Sequence, residues 1–262
     1  ADIIAETEGA NFHTFLQQAS VYRQPVPAQA YAQLGKTKML ELGVRLTLIE
    51  KEQVQGHDAV YWVMPVIRES QWAKVKDAQK TALHATVYTW LDSRINNAES
   101  SDYTDLEEAV HHALASDHIQ GACRHAIDLG NYLSENLLYS DKLSIQQQVA
   151  ERITDAVIEE AVRDQDTEIA QLFNELGSVL TSLGNAQAAM EHYSKALQIV
   201  QRIVGDQHEY VAIAYNNLGS AWQDLGDETQ AIEYFEKALS IDLAVFGEQH
   251  RNVAIAYNNL GS

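Results

Sequence analysis

The chain has 262 residues, room for one or two domains. It sets 18 Lys and Arg against 37 Asp and Glu, a formal charge of −19. That charge argues against nucleic acid or an anionic membrane as the main partner, because a phosphate surface repels it on average. Hydrophobic residues at 46% and charged residues at 21% are those of a folded chain, not a disordered one. The single cysteine, Cys123, rules out an internal disulfide and fits a reducing compartment. No apolar run approaches the roughly 18 residues that span a bilayer. The first eight residues are acidic and lack a signal peptide's basic start and apolar core, so the expected location is cytoplasmic.

In the first seventy residues, 11–19 read as a helix with Phe12, Phe15 and Leu16 on one side. Pro25 and Pro27 introduce a short second helix through Leu34, and 36–42 form a third. Residues 44–48 and 60–64 alternate with the two-residue period of strands, and Gln55-Gly-His-Asp58 between them is a turn cluster. Met64-Pro-Val-Ile-Arg-Glu69 leads into a new helix. Three helices followed by a hairpin is a winged-helix layout, expected over residues 1–72.

All three prolines lie in that first quarter, and a long proline-free stretch with helical periodicity is expected to be nearly all α. Residues 103–116 and 117–138 read as two helices, with Ser101, Asp102 and Asp117 as caps. Leu129-Gly130 followed by Tyr132-Leu133 looks like the first helix of a degenerate repeat, whose second helix would be 144–162. Residues 73–165 are therefore expected to form an irregular helical connector.

Beyond residue 170 the glycines recur. Gly177, Gly184 and Gly205 return 42 residues later as Gly219, Gly226 and Gly247, and Gly219 returns as Gly261. Each copy holds two amphipathic helices. Ala212, Tyr215, Leu218, Trp222 and Leu225 make one apolar stripe; Ala231, Ile232, Phe235, Ala238 and Leu239 make the other. Leu225-Gly226-Asp227 is a stop signal with a glycine available for a left-handed cap. The small residues Gly219, Ala231 and Ala238 let two antiparallel helices approach closely.

The spacing Tyr215, Leu218, Gly219, Trp222, Ala231, Phe235, Ala238 resembles the tetratricopeptide repeat. Phe173, Leu176, Gly177, Leu180, Ala189, Tyr193 and Ala196 match it one repeat earlier, with Leu180 replacing an aromatic. The long period, with Gly205-Asp-Gln-His208 and Gly247-Glu-Gln-His250, is similar to the variant found in kinesin light chains and bacterial signalling proteins. Residues 166–262 thus hold two full repeats and a truncated third. Upstream, Val21-Tyr-Arg-Gln-Pro-Val-Pro27 and Met64-Pro-Val-Ile-Arg-Glu69 resemble the winged-helix module of STAND-class signalling NTPases, with Met64 where that family often has histidine. In some members that histidine helps hold nucleotide. Together the resemblances imply a mainly α protein: a right-handed α-solenoid of tetratricopeptide repeats behind a small winged-helix (α+β) domain. They also imply a C-terminal piece of a longer protein that carries the nucleotide-binding domain.

Candidate chemistry is sparse. Gly35-Lys36-Thr37 imitates the end of a phosphate loop, but that motif needs a glycine where Ala30 stands and a preceding strand. His111, His112, His118 and His125, near Cys123, lack the close-pair spacing of zinc ligands, and Cys123 and His125 point to different helix faces. His208 and His250 recur at one repeat position and read as loop residues that fix the turn. No catalytic, cofactor or metal residue is therefore expected, and no enzyme activity within this chain.

The best functional candidates are polar residues on the free face of the first helices: Asn174, Ser178 and Thr181, then Asn216, Asn217, Ser220 and Gln223, then Asn258 and Asn259. First helices line the concave surface in the family, and an asparagine there offers donors and an acceptor to a peptide backbone. The bland alternative is a face selected for solubility. Glu151, Asp155, Glu159, Glu160, Asp164, Asp166 and Glu168 form an acidic patch that is usually a solvated face but could prefer a basic partner.

The expected role is a regulatory segment that binds a protein or peptide on its repeats, the sensor of a STAND-like NTPase. One rival is a transcription regulator using Lys36, Lys38, Arg45 and Lys51 on DNA, although Glu41, Glu50, Glu52 and Asp58 offset them. Another is a passive scaffold. A last repeat without a cap would permit self-association.

Overall fold

The computed structural model describes residues 6–34, 37–54, 58–97 and 103–261. The phosphate-loop mimic at Gly35 and Lys36, the turn at Gln55, Gly56 and His57, and the caps at Ser101 and Asp102 lie outside them. The chain is mainly helical and divides into two compact units, residues 1–118 and 119–262.

The first unit is α+β. Helix α1 (Glu6–Ala19) is followed by strand β1 (Val26–Pro27), α2 (Ala28–Ala32), α3 (Thr37–Arg45), β2 (Ile49–Glu52) and β3 (Val60–Val63). Then come α4 (Pro65–Trp72), α5 (Asp77–Asn96) and α6 (Tyr103–Ala115). The three strands form an antiparallel sheet in the order β1-β3-β2, with Val26 opposite Tyr61 and Ile49 opposite Val63. Pro27 is tolerated because β1 is an edge. Buried Phe12, Phe15, Tyr31, Ile49, Val63, Val87 and Leu91 build one core, each worth about 2 kcal/mol of burial.

The hairpin sits later than the alternation indicates. Residues 44–48 are not a strand: Val44 and Arg45 end α3, and Thr47 turns the chain with φ of 55°. Val44, Leu46 and Leu48 alternate because all three pack on the core from a helix end and its turn. Ile49 begins the strand and lies so close to α3 that a Cβ at Gly43 would overlap its side chain.

The second unit is all helix: α7 (Ile119–Glu135), α8 (Tyr139–Ala150), α9 (Asp155–Asp164), α10 (Glu168–Ser182), α11 (Ala186–Val204), α12 (Glu209–Asp224), α13 (Glu228–Phe246) and α14 (Arg251–Leu260). The pairs α10–α11 and α12–α13 are the two repeats, and α14 opens the third. Gly177 and Gly219 each face the ring sixteen residues on, Tyr193 and Phe235, where a Cβ would collide with the aromatic edge. Between paired helices, Gly184 and Gly226 have φ of 78° and 80°, and Asn185 and Asp227 then cap the next helix through Ala188 N and Gln230 N.

The same frame continues upstream with other residues. Gly130 faces Gln146, again sixteen residues on, so α7–α8 pack as a repeat pair. The helix expected over 144–162 is two helices. Thr154, accepting from Val157 N, caps a separate α9 after a break at Glu151 and Arg152.

Candidate functional site

Helices α10, α12 and α14 occupy equivalent places, and their asparagines are bonded to one another. Asn217 Nδ2 donates to Asn174 Oδ1 at 2.6 Å, and Asn259 Nδ2 donates to Asn216 Oδ1 at 3.4 Å. Both links span 43 residues, one more than the period. In the adjacent pair Asn216–Asn217, Asn217 donates back to the previous helix and Asn216 accepts from the next.

Beside the first rung lies a cavity of about 180 Å³ between α10 and α12. Its walls are Ile127 of α7, Ala170 of α10, Ala196 and Val200 of α11, and Ile213 and Ala214 of α12. Its rim is polar: Thr167, Gln171, Asn174, Glu175 and Tyr210. Ile213 is 40% exposed, and Ile255, one repeat on, is 43% exposed, an apolar series on the same face. Lys142 of α8, buried, reaches Glu175 Oε2 at 2.6 Å and Ser134 Oγ at 3.1 Å, so the rim carboxylate is held from behind.

The expected residues fall into three groups. Asn174, Asn216, Asn217 and Asn259 form the rungs, and Asn258 stands exposed beside the last one. Ser178 and Gln223 are exposed. Thr181 and Ser220 bond back to their own helices: Thr181 Oγ1 donates to Gly177 O at 3.0 Å and sits 3.3 Å from Tyr193 Oη of the paired helix, and Ser220 Oγ donates to Asn216 O at 3.1 Å. Sequence reading missed the cavity. Its one available signal was Ile213 recurring as Ile255 at an exposed helical position.

His208 and His250 do fix the turns. Each Nδ1 accepts from a backbone N–H two residues on, capping α12 and α14. Cys123 and His125 are buried in α7, and burial pushes the Cys123 thiol up, away from reactive thiolate. His111 and His112 lie on α6 beside His84 of α5, while His118 is exposed and bonded to Ser116 Oγ at 2.9 Å. The acidic patch is partly neutralised: Arg202 meets Glu159 at 2.7 Å, Arg124 meets Glu168 at 2.6 Å, and Arg163 meets Asp164 at 3.0 Å. In the first unit a wider cleft of about 740 Å³ is lined by Gln24, Trp90, Arg94 and Asp105 among others, with Arg94 and Asp105 paired at 3.4 Å.

Comparison with known proteins agrees with the helix pairing. A tetratricopeptide-repeat family model matches residues 168–244 and 216–262. This part of the chain is built of tetratricopeptide repeats. No catalytic family is matched. No curated relative matches.

Three solved structures are similar to the chain. BtubC (BKLC) from P. vanneervenii is 23% identical, covering 65% of this chain and 64% of its own, with a TM-score of 0.48. A Podosopora anserina protein described as a kinesin light chain with nearly identical TPR-like repeats is 16% identical, over 66% of this chain and 81% of its own, at 0.44. A signal transduction ATPase with numerous domains (STAND) with a tetratricopeptide repeat sensor, from Pyrococcus horikoshii, is 12% identical, over 95% of this chain and 46% of its own, at 0.33. The chain thus spans just under two thirds of BtubC and under half of the STAND protein. Among the described residues no helix is long and apolar enough to cross a membrane.

Proposed function

We propose that residues 166–262 recognise an extended segment of a partner protein laid along α10, α12 and α14. The observation that carries this is the cavity beside an asparagine rung: an apolar hole rimmed by amides. At about 180 Å³ it is smaller than the roughly 300–1,000 Å³ of a cofactor site and suits one apolar side chain. The amides would then grip the flanking peptide backbone, with Asn258 and Gln223 extending the polar track.

In this reading the chain is the sensor part of a cytoplasmic STAND-like NTPase, with a winged-helix adaptor over 1–72, a helical connector over 73–165 and the repeats last. The order helix, strand, helix, helix, strand, strand, with the first strand beside the last, supports the winged-helix assignment. So does the meeting of the two STAND-like stretches, where Arg68 Nη1 donates to Arg23 O at 3.0 Å. Glu50 and Glu52 flank Lys51 on β2, which favours an adaptor over a DNA-reading wing.

The test is capture from native lysate with the wild-type chain and with Ile213→Glu, which puts a charge at the cavity mouth on an exposed residue. A specific protein held by wild type and lost by the variant is the expected result. Equal capture by both would overturn the groove reading, and retained DNA without protein would move the function to the winged helix.

A further inference from the structure

Three imidazoles in the first unit converge without a task in the proposed recognition. His84 of α5 and His111 and His112 of α6 each offer a ring nitrogen, and these nitrogens lie within 4.8 Å of one another. Ring centroids are 4.9 Å apart for His84 and His112, 5.4 Å for His84 and His111, and 5.1 Å for His111 and His112. His112 is fully buried, while His84 and His111 are half-buried and leave a path from solvent.

The nitrogen atoms are presented in a particular way. His84 Nδ1 and His112 Nδ1 face each other at 2.8 Å. Two neutral imidazoles at that distance must share a proton or a cation, since two bare lone pairs repel. On its other side, His112 Nε2 has Glu108 Oε2 at 3.5 Å and no closer partner. A carboxylate there favours the tautomer with the proton on Nε2, which leaves Nδ1 bare and aimed at His84. Glu108 is itself fixed by Arg23, whose Nη2 and Nε reach Oε1 at 2.7 and 3.1 Å. Trp72 closes the far side, edge-on to His84 at 5.3 Å. Burial holds His84 and His111 well below the usual histidine range, at about 3 and about 4, so the rings are neutral.

We propose that His84, His111 and His112 bind a late first-row divalent cation of the zinc class, joining α5 to α6. Imidazole nitrogens suit such ions, and three of them leave a further position for water. Tetrahedral ligation at about 2.0–2.1 Å places ligand nitrogens about 3.3 Å apart, inside the 2.8 to 4.8 Å spread present here. Binding needs a small opening of the His84–His112 pair and a proton moved from His84 Nδ1 to Nε2. Glu108 is the positioning residue for His112, and its pairing with Arg23 keeps it from acting as a ligand.

The test titrates the untagged, chelator-treated full chain with zinc chloride by calorimetry, and with cobalt(II) by visible absorption. Expected are one equivalent of zinc, the d–d bands of tetrahedral cobalt, and a zinc-dependent rise in thermal midpoint. His84→Gln and His111→Gln should each weaken zinc by at least about 10-fold, while His118→Gln, outside the group, should not. Imidazole nitrogen NMR of the wild type adds a readout that needs no variant: the resonances of His84, His111 and His112 should shift together. No stoichiometric zinc, affinity unchanged in both glutamine variants, or shifts at other histidines alone would overturn the site and leave a packed histidine cluster.

Discussion

The helix pair α7–α8 and the repeat pairs behind it solve one packing problem with different residues. In α10–α11 and α12–α13 a glycine receives an aromatic ring, a left-handed glycine makes the turn, and Asn185 or Asp227 caps the next helix. In α7–α8 the glycine receives Gln146, Leu137 makes the left-handed turn at φ of 60°, and Leu138 stands at the cap with no side-chain bond. Only the helix-crossing glycine is common to all three. Close approach of two helices is what the architecture demands; the turn and the cap can be lost at about 1 kcal/mol each.

That contrast can be tested, beginning with the largest effect. Lys142 replaces the small Ala189 and Ala231 of the repeats, and its charge is buried against Glu175. Glu175→Ala strands a buried ammonium and should cost about 3 kcal/mol in urea unfolding. Lys142→Met leaves a half-exposed carboxylate instead and should cost clearly less. Equal losses would mean that Lys142 reaches solvent.

The glycines come next. At Gly177 an added methyl meets a rigid ring, so Gly177→Ala should cost about 2 kcal/mol despite the better helix propensity. At Gly130 it meets the far ends of Gln146 and Lys142, which are buried but can turn about more bonds than a ring, and Gly130→Ala should cost clearly less in the same measurement.

Asp242 gives a smaller effect with a pH signature. It occupies the position of Val200 one repeat earlier, it is buried, and neither carboxylate oxygen has a partner. Burial raises its carboxyl above the usual value, Glu209 raises it further, and His250 opposes them. A raised folded-state value means the protonated form is favoured on folding. Its stability is present below about pH 4 and is lost as pH rises through the folded value. Asp242→Asn should therefore gain about 1–2 kcal/mol at neutral pH and nothing at pH 3, read as a pH series of thermal midpoints.

The smallest effect is a repair. Leu138→Asp supplies the cap that Asp227 gives its own helix, and should raise stability by about 1 kcal/mol. Asp227→Ala should lose a similar amount.

These comparisons also explain what was legible in the sequence. The repeats declared themselves because Gly177, Gly184 and Tyr193 return as Gly219, Gly226 and Phe235, at a close helix crossing and a left-handed turn that only a few residue types can serve. The degenerate pair was half visible: Gly130 was readable, but Leu137 at a left-handed turn carries no turn signal, and Gln146 hides the aromatic position. The strand expectation at 44–48 failed because burial from a helix end and turn can mimic a period of two, and β1 was missed because two residues ending in proline show no strand pattern. At the site, recurrence exposed the asparagines. The rung between Asn217 and Asn174 depends on how repeats stack, which no single helix encodes. His84 and His111 sit on different helices with no spacing motif, so only the fold brings them together.

The asparagine rungs bear on mechanics. A coil whose turns are tied together along one edge behaves as a stiffened spring. To change pitch it must lengthen or break the ties, and Asn259 to Asn216 at 3.4 Å is already the slacker of the two. A peptide that takes the same amides into its own hydrogen bonds would loosen those ties as it docks. Occupancy of the groove and stiffness of the coil would then be one variable, and a ligand could be read at a distance as a change in elasticity.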